Sequence, residues 1–352
     1  MGDSAAHTRG GGAGLEDDPV KFGAGFWGPF PLGRYVEYAV TAERLGFDAV
    51  WIGDTQLLTP DLYSAIALCA NATSQIRIGS GVTNTVTRDL TVTAGGILAL
   101  NEFSGGRCLL GVGVGGSAVG TVGLGADGAA EFRRKLTLIK ALVAGETVTL
   151  NGVEVRGRIA APRVPVYAAS SSPRVLQVAG ELADGVILNV GVVPELVREA
   201  LAHVAHGARR AGRDAGSLDV VVIAGSSIGT DGAQAINETR SWAATTLRRV
   251  GPWVAAGGDA MRALGATILA RYRWDEHIAL DAAHARQVPD DIAKSFVFAG
   301  TAADVAQTVR RLEACGVTHV LPLLMGTNIA GTLEAWSREV MPAWRTPSMA
   351  RR

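Results

Sequence analysis

An aspartate that closes an apolar run, a glycine-rich stretch and three serines ahead of a proline are the residues whose types and spacing suit chemistry. Asp54 follows Ala49-Val50-Trp51-Ile52-Gly53, where a carboxylate either faces a ligand pocket or caps the next turn, and the pocket is the expectation. Ser170-Ser171-Ser172-Pro173-Arg174 suits a phosphate. Proline at a first helical turn leaves backbone N–H groups free, the hydroxyls add donors, and Arg174 adds a charge. The plainer alternative is N-capping by Ser172.

Gly111, Gly113 and Gly116 have the spacing of a dinucleotide fingerprint, with Glu131 about 20 residues on. The fingerprint needs its glycines to open a helix at once, whereas four more glycines follow between Val119 and Gly128. A barrel loop that needs close packing is the better reading. His203 and His206 lack a third ligand for zinc, and Glu43, Arg44, Glu131, Arg134 and Lys135 read as solvated helix faces. No nucleophile elbow, HExxH or phosphate-loop lysine is present, so the chemistry is expected to belong to a bound cofactor.

Short apolar runs alternate with helical periods from Val20 almost to the C-terminus, the pattern of strand-helix units around a parallel sheet. Strands are expected at 21–26, 49–52, 77–81, 108–112, 166–169, 185–188, 220–223, 295–298 and 319–323. Helices are expected at 32–45, 61–72, 91–103, 129–144, 173–182, 194–210 and 301–315. The count favours an α/β fold of the (β/α)8 barrel (TIM barrel) type over a doubly wound open sheet. A barrel needs about 250 residues, leaving roughly 70 to 80 for insertions. One is expected at 147–164, where Asn151-Gly152 signals a hairpin, and a helical one at 230–291, capping the barrel mouth. The organisation expected is a tail over 1–18, one barrel domain over 19–342 and a tail over 343–352. In a barrel, function lies just past the strands: Asp54 and Thr55, then Gly81 to Asn84, Gly113 to Ser117, Ser170 to Arg174, and Asn189.

With 352 residues, 48% apolar and 19% charged, the chain can bury a large core. Thirty-three basic residues balance 33 acidic ones, so no net field draws in a nucleic acid or an anionic membrane, and a small-molecule substrate is expected. Glycine, at 45 residues, is roughly twice its usual share, which implies close backbone approaches. No run reaches the roughly 18 apolar residues of a membrane span and no secretory segment opens the chain, so a cytoplasmic location is expected. Cys69, Cys108 and Cys315 lie far apart in apolar stretches, as buried reduced thiols would.

Taken together, Trp51-Ile52-Gly53-Asp54-Thr55-Gln56, the run Ile76 to Arg88 (IRIGSGVTNTVTR), Leu100 to Arg107 (LNEFSGGR) and Gly180 to Leu188 (GELADGVIL) resemble the bacterial luciferase-like flavin and deazaflavin oxidoreductases. The methylenetetrahydromethanopterin reductase branch is the nearest in pattern. The resemblance covers about residues 20–323. It implies a (β/α)8 barrel binding coenzyme F420, or alternatively FMN, at the carboxyl ends of the strands. By position it puts Asp54 and Thr55 near the reactive face of the ring, Thr83 and Asn84 against the ring, and Ser170, Ser171 and Arg174 on the phosphate. It also implies a non-prolyl cis peptide at Gly81-Val82. Many members carry an acidic residue at the place of Gly116, which this chain lacks. The reaction implied is hydride transfer between the deazaflavin C5 and a C=C, C=N or C=O bond. Asp54 is the first candidate for the proton relay, with Ser117 and His277 in reserve, although the plain reading of His277 is a helix-surface residue. An FMN-dependent monooxygenase and a binding barrel without catalysis are the competing functions. A homodimer, and a reductase partner that supplies reduced cofactor, complete the expectations.

Overall fold

In this computed structural model residues 20–253 and 258–345 are described, so the expected tail over 1–18 and most of that over 343–352 lie outside the described residues. Strands and helices alternate as the apolar periods require: β1 (Lys21–Phe26), α1 (Leu32–Arg44), β2 (Ala49–Ile52), α2 (Leu62–Ala72), β3 (Arg77–Asn84), α3 (Leu90–Phe103) and β4 (Cys108–Gly113). A single-turn α4 (Ser117–Gly120) and α5 (Ala129–Val143) follow, then β5 (Thr147–Leu150) and β6 (Val153–Arg156). Next come β7 (Val166–Ser170), α6 (Pro173–Leu182), β8 (Gly185–Leu188), α7 (Pro194–Arg210) and β9 (Asp219–Ile228). The chain continues through α8 (Gly232–Val250), α9 (Gly258–Arg271), α10 (Asp290–Ala293), β10 (Val297–Gly300), α11 (Ala302–Glu313), β11 (His319–Leu324) and α12 (Ile329–Ala335).

β1 pairs in parallel with β2 on one side and β11 on the other, and parallel pairing through β3, β4, β7, β8 and β9 completes the ring. This closed eight-stranded barrel excludes the open sheet. The strand expected at 295–298 starts two residues late, as β10, and pairs with residues 225–228 of β9 outside the ring. β9 runs on past the expected 223 because it serves three partners, β8 at its start, β11 through its middle and β10 at its end. β5 and β6 form the antiparallel hairpin, turned by Asn151 and Gly152 at positive φ, as a two-residue turn demands. The helical insertion holds α8, α9 and α10 between β9 and β10.

Glycine makes space rather than flexibility here. Trp51 fills the barrel interior with its ring 5.2 Å from Tyr167 and 6.0 Å from His319, and a Cβ at Gly23 or Gly79 would lie 2.9 or 3.0 Å from that indole. The register between β3 and β4 slips between Ser80 and Thr83, and the Gly81-Val82 peptide is cis, as the resemblance implies. A Cβ at Gly111 would sit 2.2 Å from the Ser80 carbonyl oxygen and 2.9 Å from Cγ1 of Val82. Gly111 and Gly113 therefore belong to β4 and its contact with the bulge, not to a dinucleotide fingerprint.

Cys69 and Cys108 are buried free thiols, as expected, but Cys315, in the turn that follows α11, is partly exposed. No helix among the described residues is long and apolar enough to cross a membrane. Gly111→Ala should destabilise the fold by about 3 kcal/mol, since backbone must move to admit the methyl group. Gly95→Ala, on α3 with nothing within 4 Å of the added carbon, should be neutral or gain up to about 1 kcal/mol. Urea denaturation midpoints would rank the two, and equal midpoints would remove the packing argument.

Candidate active site

At the carboxyl ends of the strands a cavity of about 390 Å³ opens, within the range of small-ligand sites. Its floor is apolar, built from Val82, Ile187, Ile223 and Leu323, each from a different strand. Val82 reaches it because the β3 bulge lifts that residue out of the ladder. The roof comes from the helical insertion: Trp242, Thr245 and Arg249 recur at helical spacing on one face of α8, and His277 and Ile278 follow α9. A larger cavity, about 660 Å³, lies on the opposite face of α8 around Asn237 and Arg240, away from the strand ends. Its Arg240 is already held by Asp290 and the Val288 carbonyl.

Asp54 is 5% exposed and lines the cavity, as expected. Its Oδ2 accepts from Thr83 Oγ1 at 2.7 Å and forms an ion pair with Arg88, whose other amino group holds Asp61 at 3.1 Å. Asp54 thus ties the end of β2 to the β3 loop. Arg88 also lies over the Tyr63 ring, 5.2 Å from its centroid. Thr55 Oγ1 accepts from Trp27 Nε1 at 3.0 Å and meets Ser117 Oγ at 2.7 Å, joining β1, β2 and the loop after β4. Asn84 lines the cavity, but its carbonyl oxygen accepts from the Val86 and Thr87 amides and its amide donates to Thr87 Oγ1, so that side chain shapes the β3 loop. Asn189 Oδ1 accepts from Thr246 Oγ1, anchoring α8 over β8.

Ser170, Ser171 and Ser172 lie together at one end of the cavity, where Pro173 begins α6. Ser170 Oγ accepts the Ser172 amide at 2.9 Å, and the Ser172 side chain caps nothing, contrary to the N-capping alternative. Among the described residues the hydroxyls of Ser171 and Ser172 have no partner, so both are available to a ligand. Arg174 is exposed and does not line the cavity, because the first turn of α6 carries it outward. Gly113, Gly115 and Gly116 border the cavity with bare backbone. The chain from Ser117 forms one helical turn, where an extended glycine-rich loop is expected.

His277 overturns its surface reading: it is 8% exposed and faces the cavity beside Trp27, ring centroids 5.5 Å apart. Its Nδ1 is hydrogen-bonded to the Tyr272 hydroxyl, which in turn contacts Thr245 Oγ1 at 2.9 Å. Burial, and next the charges of Arg249 and Arg248, hold its pKa well below 6.5. Sequence reasoning also missed Trp27, Arg88, Trp242, Thr245 and Arg249. Arg88 ends the quoted β3 run and so carried a signal; Trp27 follows a strand end, and Trp242, Thr245 and Arg249 lie in the insertion expected over the barrel mouth, whose inward-facing residues the local pattern does not single out.

The profile of the luciferase-like monooxygenase family matches residues 6–319. The chain belongs to this family. A 5,10-methylenetetrahydromethanopterin reductase of Methanolobus tindarius is 32% identical over 320 residues, 86% of this chain and 93% of that protein. An F420-dependent glucose-6-phosphate dehydrogenase of Beutenbergia cavernae is 34% identical over 230 residues, 60% of this chain and 68% of that one. The solved coenzyme F420-dependent tetrahydromethanopterin reductase of Methanopyrus kandleri superposes with a TM-score of 0.76 at 25% identity, covering 93% of this chain and all of that one. This luciferase-like protein is accordingly an oxidoreductase.

Arg88→Met should cost about 3 kcal/mol, because it leaves the Asp54 charge buried and unpaired. Asp54→Asn should cost less, since Arg88 keeps Asp61; the reverse order in urea denaturation would show the pair to be unimportant. His277 and His284 are both held below 6.5, first by burial. The unfolded chain therefore binds protons that the folded one refuses, and stability is lost as pH falls below 6.5. The loss grows as pH falls further below 6.5, because the unfolded chain takes up each of these protons first. His277→Gln should flatten that slope; an unchanged slope in pH-dependent denaturation would place His277 elsewhere.

Proposed function

We propose that the protein is a coenzyme F420-dependent oxidoreductase that reduces a C=C, C=N or C=O bond of a small substrate, working as a single barrel domain over 19–342. The observation that carries this reading is the combination, in one cavity, of an apolar floor at Val82 and hydroxyls without partners among the described residues at the start of α6. The floor suits a planar ring and the serines suit its phosphate. The residues present thus fit the cofactor. Val82, Thr83, Gly113 and Gly115 would border its ring, with Asp54, Thr55, Asn84 and Asn189 holding the walls in place. Ser170, Ser171 and Ser172 would hold the phosphate. Bound there, the deazaflavin supplies a two-electron hydride donor at C5.

The chain's own residues then orient the substrate, exclude water and supply a proton. Asp54, paired with Arg88, is an acceptor and a brace for Thr83. We assign proton delivery to His277. With Thr245 donating to Tyr272 and Tyr272 to Nδ1, the cavity-facing Nε2 carries the hydrogen. As it gives that proton to the substrate, Nδ1 takes one from Tyr272, so the imidazole stays neutral and Tyr272 is left a phenolate beside the Arg248 guanidinium until a proton from solvent restores it. Ser117, hydrogen-bonded to Thr55, helps fix the substrate side of the loop. The family match favours a second reading, an FMN-dependent monooxygenase on the same floor, fed by a partner reductase. A homodimer in the cytoplasm is part of the proposal.

The deciding measurement is anaerobic absorbance after mixing the protein with reduced F420 and cyclohex-2-enone or other activated alkene and carbonyl probes. Oxygen-independent oxidation of F420 is expected. Strict dependence on reduced FMN and dioxygen would transfer the assignment to the monooxygenase. His277→Phe should lower turnover on an active probe by about 10²-fold or more, the usual worth of a positioned proton donor, while F420 affinity stays within about twofold. Parallel loss of both would return His277 to a structural role.

A further inference from the structure

The cavity is electrically lopsided. Its one carboxylate among the described residues, Asp54, is neutralised by Arg88. On the roof Arg249 has no carboxylate and no hydrogen-bond partner among the described residues, and its ionisable neighbours are Arg248, Tyr272 and His277. Arg248 cannot relieve it. That guanidinium is stacked on Tyr272 and Trp274, 3.9 and 4.7 Å from the ring centroids, and its Nε and Nη2 are themselves buried without partners. Burial, then the charge of Arg248, pushes Arg249 down to about 10, which still leaves it cationic at neutral pH.

A half-buried cation without a counter-charge is costly to hold, and its position in the last turn of α8 offsets only part of that cost through the helix dipole. Backbone shape nevertheless accommodates it. A Cβ at Gly116 would lie 2.9 Å from Arg249 Nη2, so the bare backbone of the loop after β4 leaves the guanidinium its place beside the cavity. His277, beside the same charge, is neutral and offers it no counter-ion.

We propose that Arg249 binds a carboxylate of the substrate, so that this site takes small organic acids in preference to neutral compounds. The proposal rests on the reductive reading of the cavity and narrows it. A planar guanidinium matches a carboxylate through two parallel N–H···O bonds. The cavity's other anion-receiving feature, the hydroxyls ahead of Pro173, is built from separate elements, β7 and α6, and is reserved for the cofactor's phosphate.

The test uses benzoate and its neutral counterpart benzamide as probes, titrated by tryptophan fluorescence into the full chain, with and without F420. Wild type should bind benzoate about tenfold or more tightly than benzamide, the worth of a charge-assisted pair. Arg249→Gln should reduce that preference to less than about twofold while leaving F420 affinity unchanged. If Arg249→Gln does not fold, Gly116→Val, which puts a side chain where the guanidinium lies, should abolish the preference in its place. Equal binding of both probes by wild type, or a preference that survives the substitutions, overturns the proposal. So does a loss of F420 affinity in Arg249→Gln, which would give the residue to the cofactor. Failure of wild type to bind F420 sinks the functional reading alone, because the cofactor-free titration still decides what Arg249 holds.

Discussion

The approach of β3 to β4 at Gly111 governs the rest of the site. Without a Cβ at 111, the Ser80 carbonyl and the Val82 methyl groups occupy space that every other residue would claim. The register slips there, Val82 leaves the ladder, and its side chain becomes part of the cavity floor. The same bulge sets Thr83 within hydrogen-bonding distance of Asp54, so the floor and the β2 wall are positioned by one backbone contact. High glycine content, an oddity of composition when taken alone, becomes a requirement for packing Trp51 inside the barrel and for the bulge above it.

Charge divides the cavity into two halves with different duties. On the β2–β3 side every charge is matched: Asp54, Arg88 and Asp61 form a chain that braces loops. On the roof side cations accumulate and carboxylates are absent, which keeps His277 neutral and leaves Arg249 facing the cavity. A neutral, hydrogen-bonded imidazole beside an unmatched cation is suited to receive an anionic substrate and protonate it, whereas the braced half is suited to hold a ring still. Neither half needs large motion to act, since both are anchored to strand ends or to α8.

Local pattern was sufficient for the repeating units, because strands buried on both faces read as apolar runs and outer helices carry one apolar stripe. β1, β2 and β8 fall on the expected residues, and α1, α3 and α11 within one or two. Pattern was insufficient where a strand serves a third partner, as β9 does, or where a helix lasts one turn, as α4 does. Among site residues, Asp54, Thr55, Val82, Thr83 and the serines announced themselves because they follow apolar strands directly. His277 and Arg249 did not, since their sequence surroundings are those of solvent-facing helices and only the fold of the insertion turns them to the cavity, burying His277 and half-burying Arg249.

The amino-acid order alone determined the strand-helix repeat, the hairpin at Asn151-Gly152 and the ring of polar residues just beyond the strands, all of which are set by neighbours within a few positions. Tertiary structure decided that the ring of strands closes with eight members, that Asp54 is bound to Arg88, and that α8 lowers Arg249 into the place beside Gly116. Those outcomes depend on contacts between residues 34 to more than 100 positions apart, whose energies come from packing and charge in a shared interior that no short window of sequence contains.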